Sequence, residues 1–179
     1  MSIERKPVRA EVWPLAADGQ GIWLCSGDRP WLTDPVDSDL AVHDVVAGEV
    51  WRRSPPEHPG PTLLHSTSWR DGDDGLTVTY VAVMPTLGQF VVDVWRRAKP
   101  VSDLLIDVVG APEPHGAAGV PEPRDVDVLH HAVRHLTFLV DTDGAAAVAL
   151  PGPWLVALAA FTPALAGMYN GGQRTGAPA

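Results

Sequence analysis

The densest chemistry in the chain lies in His130-His131-Ala132-Val133-Arg134-His135. His131 and His135 are four apart, so on a helix both rings share one face, a spacing that can hold a metal ion. The zinc-protease pattern also needs a glutamate directly after the first histidine, and Ala132 stands there. His65 and His115 are the conceivable further donors, but nothing in the sequence brings them near. At about 100° per residue, His131 and His135 point away from the apolar stripe of their helix, with Phe138 beside them. The plain expectation is a half-exposed helix face or a helix–helix contact. The sharper one is a binding surface or a metal pair.

A second concentration is Arg70-Asp71-Gly72-Asp73-Asp74-Gly75. A calcium loop of the EF-hand type needs oxygen ligands at its first, third and fifth positions, glycine at the sixth and glutamate at the twelfth. Counted from Asp71, the fifth position is Gly75, the sixth Leu76 and the last Ala82, so the pattern fails. Aspartate and glycine tolerate the backbone angles of tight turns, and strand-like runs flank the stretch; a hairpin turn is expected. Nucleophilic chemistry finds little support. Strict alternation places Ser66 and Ser68 on the strand face opposite His65. Cys25 has no basic neighbour in sequence to lower its pKa. G-x-S-x-G, Walker and G-x-G-x-x-G patterns are absent from the sequence.

The elements that must carry these residues are short and punctuated, as 18 prolines and 17 glycines require. Residues 8–14 and 21–26 read as a strand hairpin around turn residues 16–21. A helix is expected over about 39–52, capped by Asp37 or Ser38, with Val42, Val45, Val46 and Val50 at helical spacing; a strand ending at Trp51 is the alternative, because β-branching weakens a helix. Leu63–Trp69 and Leu76–Met84 read as strands, the second more deeply buried from Val81 onward. Residues 90–95 read as another strand, and 101–109 as strand or helix. Residues 110–124 form a Pro/Gly/Ala linker. Asp125 is expected to cap a helix to about Val140, with Val126, Leu129, Val133, Leu136 and Val140 on one face. A last helix is expected over 153–169, with Pro153 in its first turn and Pro163 kinking it. One domain spans residues 1–170, followed by a flexible tail, 171–179.

Composition bounds the function. The net charge is −9, so an acidic surface repels phosphate backbones, and nucleic acid is not an expected partner. The single cysteine excludes an intrachain disulfide and a cysteine-built zinc site. No charged residue occurs between Gly144 and Gln173. Pro151, Gly152, Pro153 and Pro163 interrupt that run, and no Lys/Arg cluster flanks it, so a core helix is expected and not a membrane span. A partner-docking surface is the further reading. The amino terminus lacks the apolar stretch of a signal peptide, which gives a cytoplasmic expectation. Eleven of the 13 basic residues are arginine, a bias that resembles coding from a GC-rich bacterial or phage genome.

The order hairpin, helix, strands and carboxy-terminal helix is similar to a Nudix domain, and LLHSTSWRDGDDGLTVTYVAVM resembles the strands that follow the catalytic helix of that family. The resemblance places the catalytic helix at DSDLAVHDVVAGEVWRR. That stretch has Asp39, Asp44 and Glu49 but not the Arg-Glu…Glu-Glu core that holds magnesium. The resemblance therefore implies a degenerate member whose scaffold serves binding. The rival it implies is a magnesium-dependent hydrolase of a phosphorylated small molecule, with Asp39, Asp44 and Glu49 on the metal and Arg52, Arg53, Arg70 or Arg96 on phosphate.

Together these readings predict an α+β protein: a mainly antiparallel sheet of about five or six strands with two carboxy-terminal helices packed on it. The expected function is noncatalytic: a cytoplasmic binding or assembly protein of phage or mobile-element character, without a cofactor, acting on a protein partner or a second copy of itself. The expected ligand or partner residues are His65, Trp69, Arg70, Arg96, His131 and His135. A metal-binding protein using His131 and His135 is the remaining alternative.

Overall fold

The computed structural model describes residues 6–18, 20–27, 29–36, 42–54, 60–72, 75–85, 99–101, 124–150 and 152–168. The elements in chain order are β1 (Val8–Ala17), β2 (Ile22–Leu24), β3 (Trp31–Leu32), α1 (Val42–Arg53), β4 (Leu63–Gly72), β5 (Gly75–Val83), β6 (Lys99–Pro100), α2 (Asp125–Thr142), α3 (Gly144–Ala149), α4 (Gly152–Leu158) and β7 (Gly167–Met168). The expected strand at 90–95, the strand-or-helix at 101–109 except Val101, the linker except Arg124, and the tail lie outside the described residues, as do Arg96 and His115.

The fold is α+β, with helices packed on a sheet ordered β6-β2-β1-β5-β4-β7, and with β3 also paired to β1. Three of these strands are only two residues long. Four of the strand pairs are antiparallel, but β1–β5 and β4–β7 are parallel, so the sheet is mixed. Short links between neighbouring strands led to an antiparallel expectation. The central β1–β5 pair escapes it because β2, β3, α1 and β4 together form the long crossover that a parallel pair needs.

β1 runs down the middle of the sheet and is buried along almost its whole length. Pro14 would ordinarily disturb a central strand. Here it falls between Glu11–Val12, which pair with β3, and Leu15–Ala17, which pair with β2. The neighbouring strand changes at the proline, so neither short ladder runs through it. The β1–β2 turn is closed by Asp18, whose Oδ1 accepts from the amides of Gln20 (2.7 Å) and Gly21 (2.9 Å). The β4–β5 hairpin pairs as far as Gly72↔Gly75, consistent with the turn read from its sequence. Gly75 has φ +126, and a Cβ there would lie 2.3 Å from the Pro7 carbonyl oxygen. Only glycine fits that approach.

Strand alternation sends Ala10, Val12, Ala16, Tyr80 and Ala82 to one face, where Val46 and Val50 of α1 cover them. It sends Trp13, Leu15, Ala17, Val81 and Val83 to the other, against Leu129, Val133, Leu136, Trp154 and Leu158. Three layers result, each helix burying its apolar stripe on the sheet. The deep burial expected from Val81 onward is present, with Val81, Ala82 and Val83 all fully buried.

The carboxy-terminal region departs from the expected two helices. Asp143 ends α2 and then starts α3, its Oδ1 accepting from Ala145 N (2.9 Å) and Ala146 N (3.5 Å). The expected helix over 153–169 stops at Leu158. Beyond it, residues 159–168 form a strap that crosses α2 and joins the sheet edge as β7. Pro163 lies in this extended stretch and kinks no helix. Asp125 also differs from expectation: the α2 cap position is Arg124, and Asp125 and Asp127 sit in the first turn. Acidic groups there meet the positive end of the helix dipole.

Candidate functional site

β4 carries the first part of the site, and one irregularity sets its geometry. His65 pairs with Val81 and Ser66 with Tyr80, but Ser68 pairs with Thr79, so Thr67 is an extra residue. Such a bulge shifts the side-chain alternation by one. Val81 and Thr79 share a face, so Ser68 and Arg70 join His65 on it. This corrects the expectation, from strict alternation, that Ser68 opposes His65. Trp69 points to the other face and is 41% exposed.

On the α2 face of β4 three imidazoles meet. The rings of His65 and His135 stack with centroids 5.4 Å apart and planes 25° off parallel. Phe138 lies against His135 as well, at 5.9 Å and 21°. His131 precedes His135 by one helical turn and interacts with the Thr67 main chain. His135 is 2% exposed. It does not lie on the half-exposed helix face that the apolar stripe suggested, because the strap covers it. Its Nδ1 lies 3.0 Å from the Ala164 carbonyl oxygen. The strap is further tied by Arg134 Nε to Thr162 O (2.8 Å) and by Ala164 N to Arg134 O (3.0 Å). A last helix running through residue 169 would have left no segment to form this cover.

Burial pushes the pKa values of His65, His131 and His135 below the ordinary 6.5. Proximity to His135 lowers those of His65 and His131 further, whereas Asp143 raises that of His65. His130, on the same helix, is lowered by burial and then by Arg134. Buried Thr67 Oγ1, Ser68 Oγ and His135 Nε2 have no hydrogen-bond partner among the described residues. The cluster therefore offers buried imidazoles and hydroxyls beneath the strap. Among the described residues, no group of three or more His, Cys, Asp or Glu side chains is placed to hold a metal ion.

Arg70 lies further along the same face. Its two terminal nitrogens donate to the two carboxylate oxygens of Glu11, each at 2.7 Å, and Thr79 Oγ1 donates to Glu11 at 2.6 Å. Glu11 is 1% exposed. Glu11 carries no obvious sequence signal: it is one acidic residue in an otherwise apolar strand. Its charge at a central inward position was the available hint that a cation must face it.

On the opposite face, Glu49 is held by both Arg52 and Arg53. Arg53 also sits over the Trp31 ring at 5.6 Å. Asp44 is exposed, and Asp39 lies outside the described residues. The described carboxylates thus do not form the cluster that magnesium requires, since Glu49 is already neutralised by two guanidinium groups. Burial pushes the Cys25 thiol up to about 12, which leaves it protonated and inert.

The carboxy-terminal layer presents the second candidate surface. Val148 is 88% exposed, Leu155 42%, Val156 72% and Leu165 68%. A groove of about 520 Å³ opens beside them, lined by Trp23, Val101, Val156 and Phe161 among others. It contains none of the histidines. No helix among the described residues is long and apolar enough to cross a membrane.

The fold and these surfaces define an α+β protein with a strapped histidine cluster on one sheet face and an uncharged helical exterior. No family model, no curated protein and no solved structure matches the chain.

Proposed function

We propose that the protein is a noncatalytic binding or assembly protein that associates with a second copy of itself through the exterior of α3 and α4. The observation that carries this reading is the exposure of Val148, Leu155 and Val156 on a stretch without a single charge. Elsewhere the chain is acidic, with a net charge of −9, which keeps copies apart unless a neutral face meets a neutral face. Most soluble oligomers are homomeric, and an apolar patch that faces its own copy is self-complementary by symmetry. The state of the chemically attractive groups fits the same reading: the Cys25 thiol is buried, and Glu11 and Glu49 are spent on arginines.

Sedimentation velocity across a micromolar concentration series tests the proposal. The native chain is expected to form dimers or larger species, and Val156→Glu to remain monomeric with an unchanged circular dichroism spectrum. A native chain that stays monomeric at high micromolar concentration would sink it. So would turnover of a phosphorylated small molecule with magnesium or manganese that Glu49→Gln abolishes.

A further inference from the structure

The histidine cluster and the strap have a relation that self-association does not use. A carbonyl oxygen can only accept, so the His135–Ala164 contact places the ring proton on Nδ1. Nε2 then carries a lone pair, buried and without a donor among the described residues. A second proton must go to that atom. It would create an N–H with no acceptor beside it and a cation against two other imidazoles.

The Ala164 carbonyl favours that cation, but burial outweighs it and leaves the pKa lowered. His135 stacks on His65 from β4 and lies one turn from His131; Arg134 and His130 act on His131, and Asp143 and His43 act on His65. The strap from Ala159 to Met168 contributes no titratable side chain. One carboxylate thus stands against a guanidinium and several imidazoles. Among the described residues the strap is held by hydrogen bonds to Arg134 and His135, the packing of Phe161, and the two-residue pairing of β7 with Ser68 and Trp69.

We propose that the His65–His131–His135 cluster is an acid-sensitive latch: a proton taken up by His135 undocks residues 159–168 from α2 and β4 while the central sheet stays folded. Undocking frees the outer edge of β4 at Ser68–Trp69, which the strap otherwise occupies. An unpaired strand edge is a template for pairing with another chain. The sign follows from linkage. Burial depresses all three imidazoles below 6.5, so the undocked state binds more protons in the window beneath that value. Docking is fully stable above pH 6.5 and weakens as pH falls below it. The latch does not depend on the proposed self-association, and the amide measurement below reads it in monomer or oligomer alike.

Amide hydrogen exchange, corrected for intrinsic rates, tests the latch between about pH 8 and about pH 5, a range that spans ordinary histidine titration. Protection of the Ala164 amide and of the β4–β7 pairing is expected to fall progressively across this range. Amides of the β1–β5 ladder are expected to keep their protection. His135→Asn retains a donor near the Nδ1 position but cannot titrate, and its strap is expected to be insensitive to pH. His65→Phe keeps the stacked ring, removes one proton site and is expected to give a shallower profile, which preserves the test should the first variant fail to fold. Strap protection that is flat with pH in the native chain overturns the proposal. Loss of strap and central sheet at the same pH does so too, as does a variant profile identical to the native one.

Discussion

At the scale of single residues, the structure turns on buried polar groups that are paired and on a few that are not. Glu11 survives at the centre of the sheet because Arg70 and Thr79 satisfy it. Removing one partner of such a pair leaves an uncompensated charge, which costs about 3–5 kcal/mol. Arg70→Ala is therefore expected to lower the urea midpoint strongly at neutral pH. Glu11→Gln combined with Arg70→Met is expected to recover most of the loss, because no bare charge remains. A single variant as stable as the native chain would show that solvent, and not Arg70, balances Glu11. At Cys25, burial raises the thiol to about 12. Alkylation at mildly alkaline pH is expected to be slow in the folded chain and fast in denaturant; rapid labelling of the folded chain contradicts the buried position.

At the scale of elements, most of the fold was legible from periodicity. The strand starting at Val8, the β4–β5 hairpin and the long helix from Asp125 all follow from alternation or helical spacing in their own residues. The site was legible only in part. His131 and His135 stand out by spacing and His65 by type, but their meeting depends on how α2 packs on β4, and the burial of His135 on a strap whose residues read in sequence as helix. Asp143 before Gly144-Ala145-Ala146 is the signal that could have separated α3, since aspartate caps the helix it precedes. The Thr67 bulge left no trace, because nothing in Ser66-Thr67-Ser68 distinguishes an extra residue from a regular one. Its consequence can be tested. Deleting Thr67 leaves a regular ladder in which Ser68 still opposes Thr79 and Arg70 still opposes Thr77, so Glu11 keeps its cation. The deletion is expected to lower the urea midpoint less than Arg70→Ala does. Trp154 anchors α4 and is fully buried, so Trp154→Ala is expected to cost about 3–5 kcal/mol in denaturant unfolding. A cost below 1 kcal/mol, roughly that of a surface change, would mean that α4 is not part of the cooperative core.

At the scale of the whole molecule, four histidines among the described residues have depressed pKa values: His65, His130, His131 and His135. Each takes up a proton more readily once the chain unfolds. Global stability is therefore expected to fall as pH drops below 6.5, and chemical denaturation at successive pH values measures the slope. Stability that rises on acidification over this interval contradicts the burial of the cluster.

The position of β1 has a consequence of another kind. It is the first of the described strands, yet its longest pairing is with β5, from Val8↔Leu76 to Leu15↔Val83. A ribosome adds roughly 5–20 residues per second, so the nascent strand waits on the order of several seconds for its main partner to emerge. During that interval, of the described elements that follow β1, only β2, β3, α1 and β4 have been made. Trp13 and Leu15 then lack the carboxy-terminal helices that cover them in the fold and depend on whatever the cell supplies to shield an apolar nascent segment.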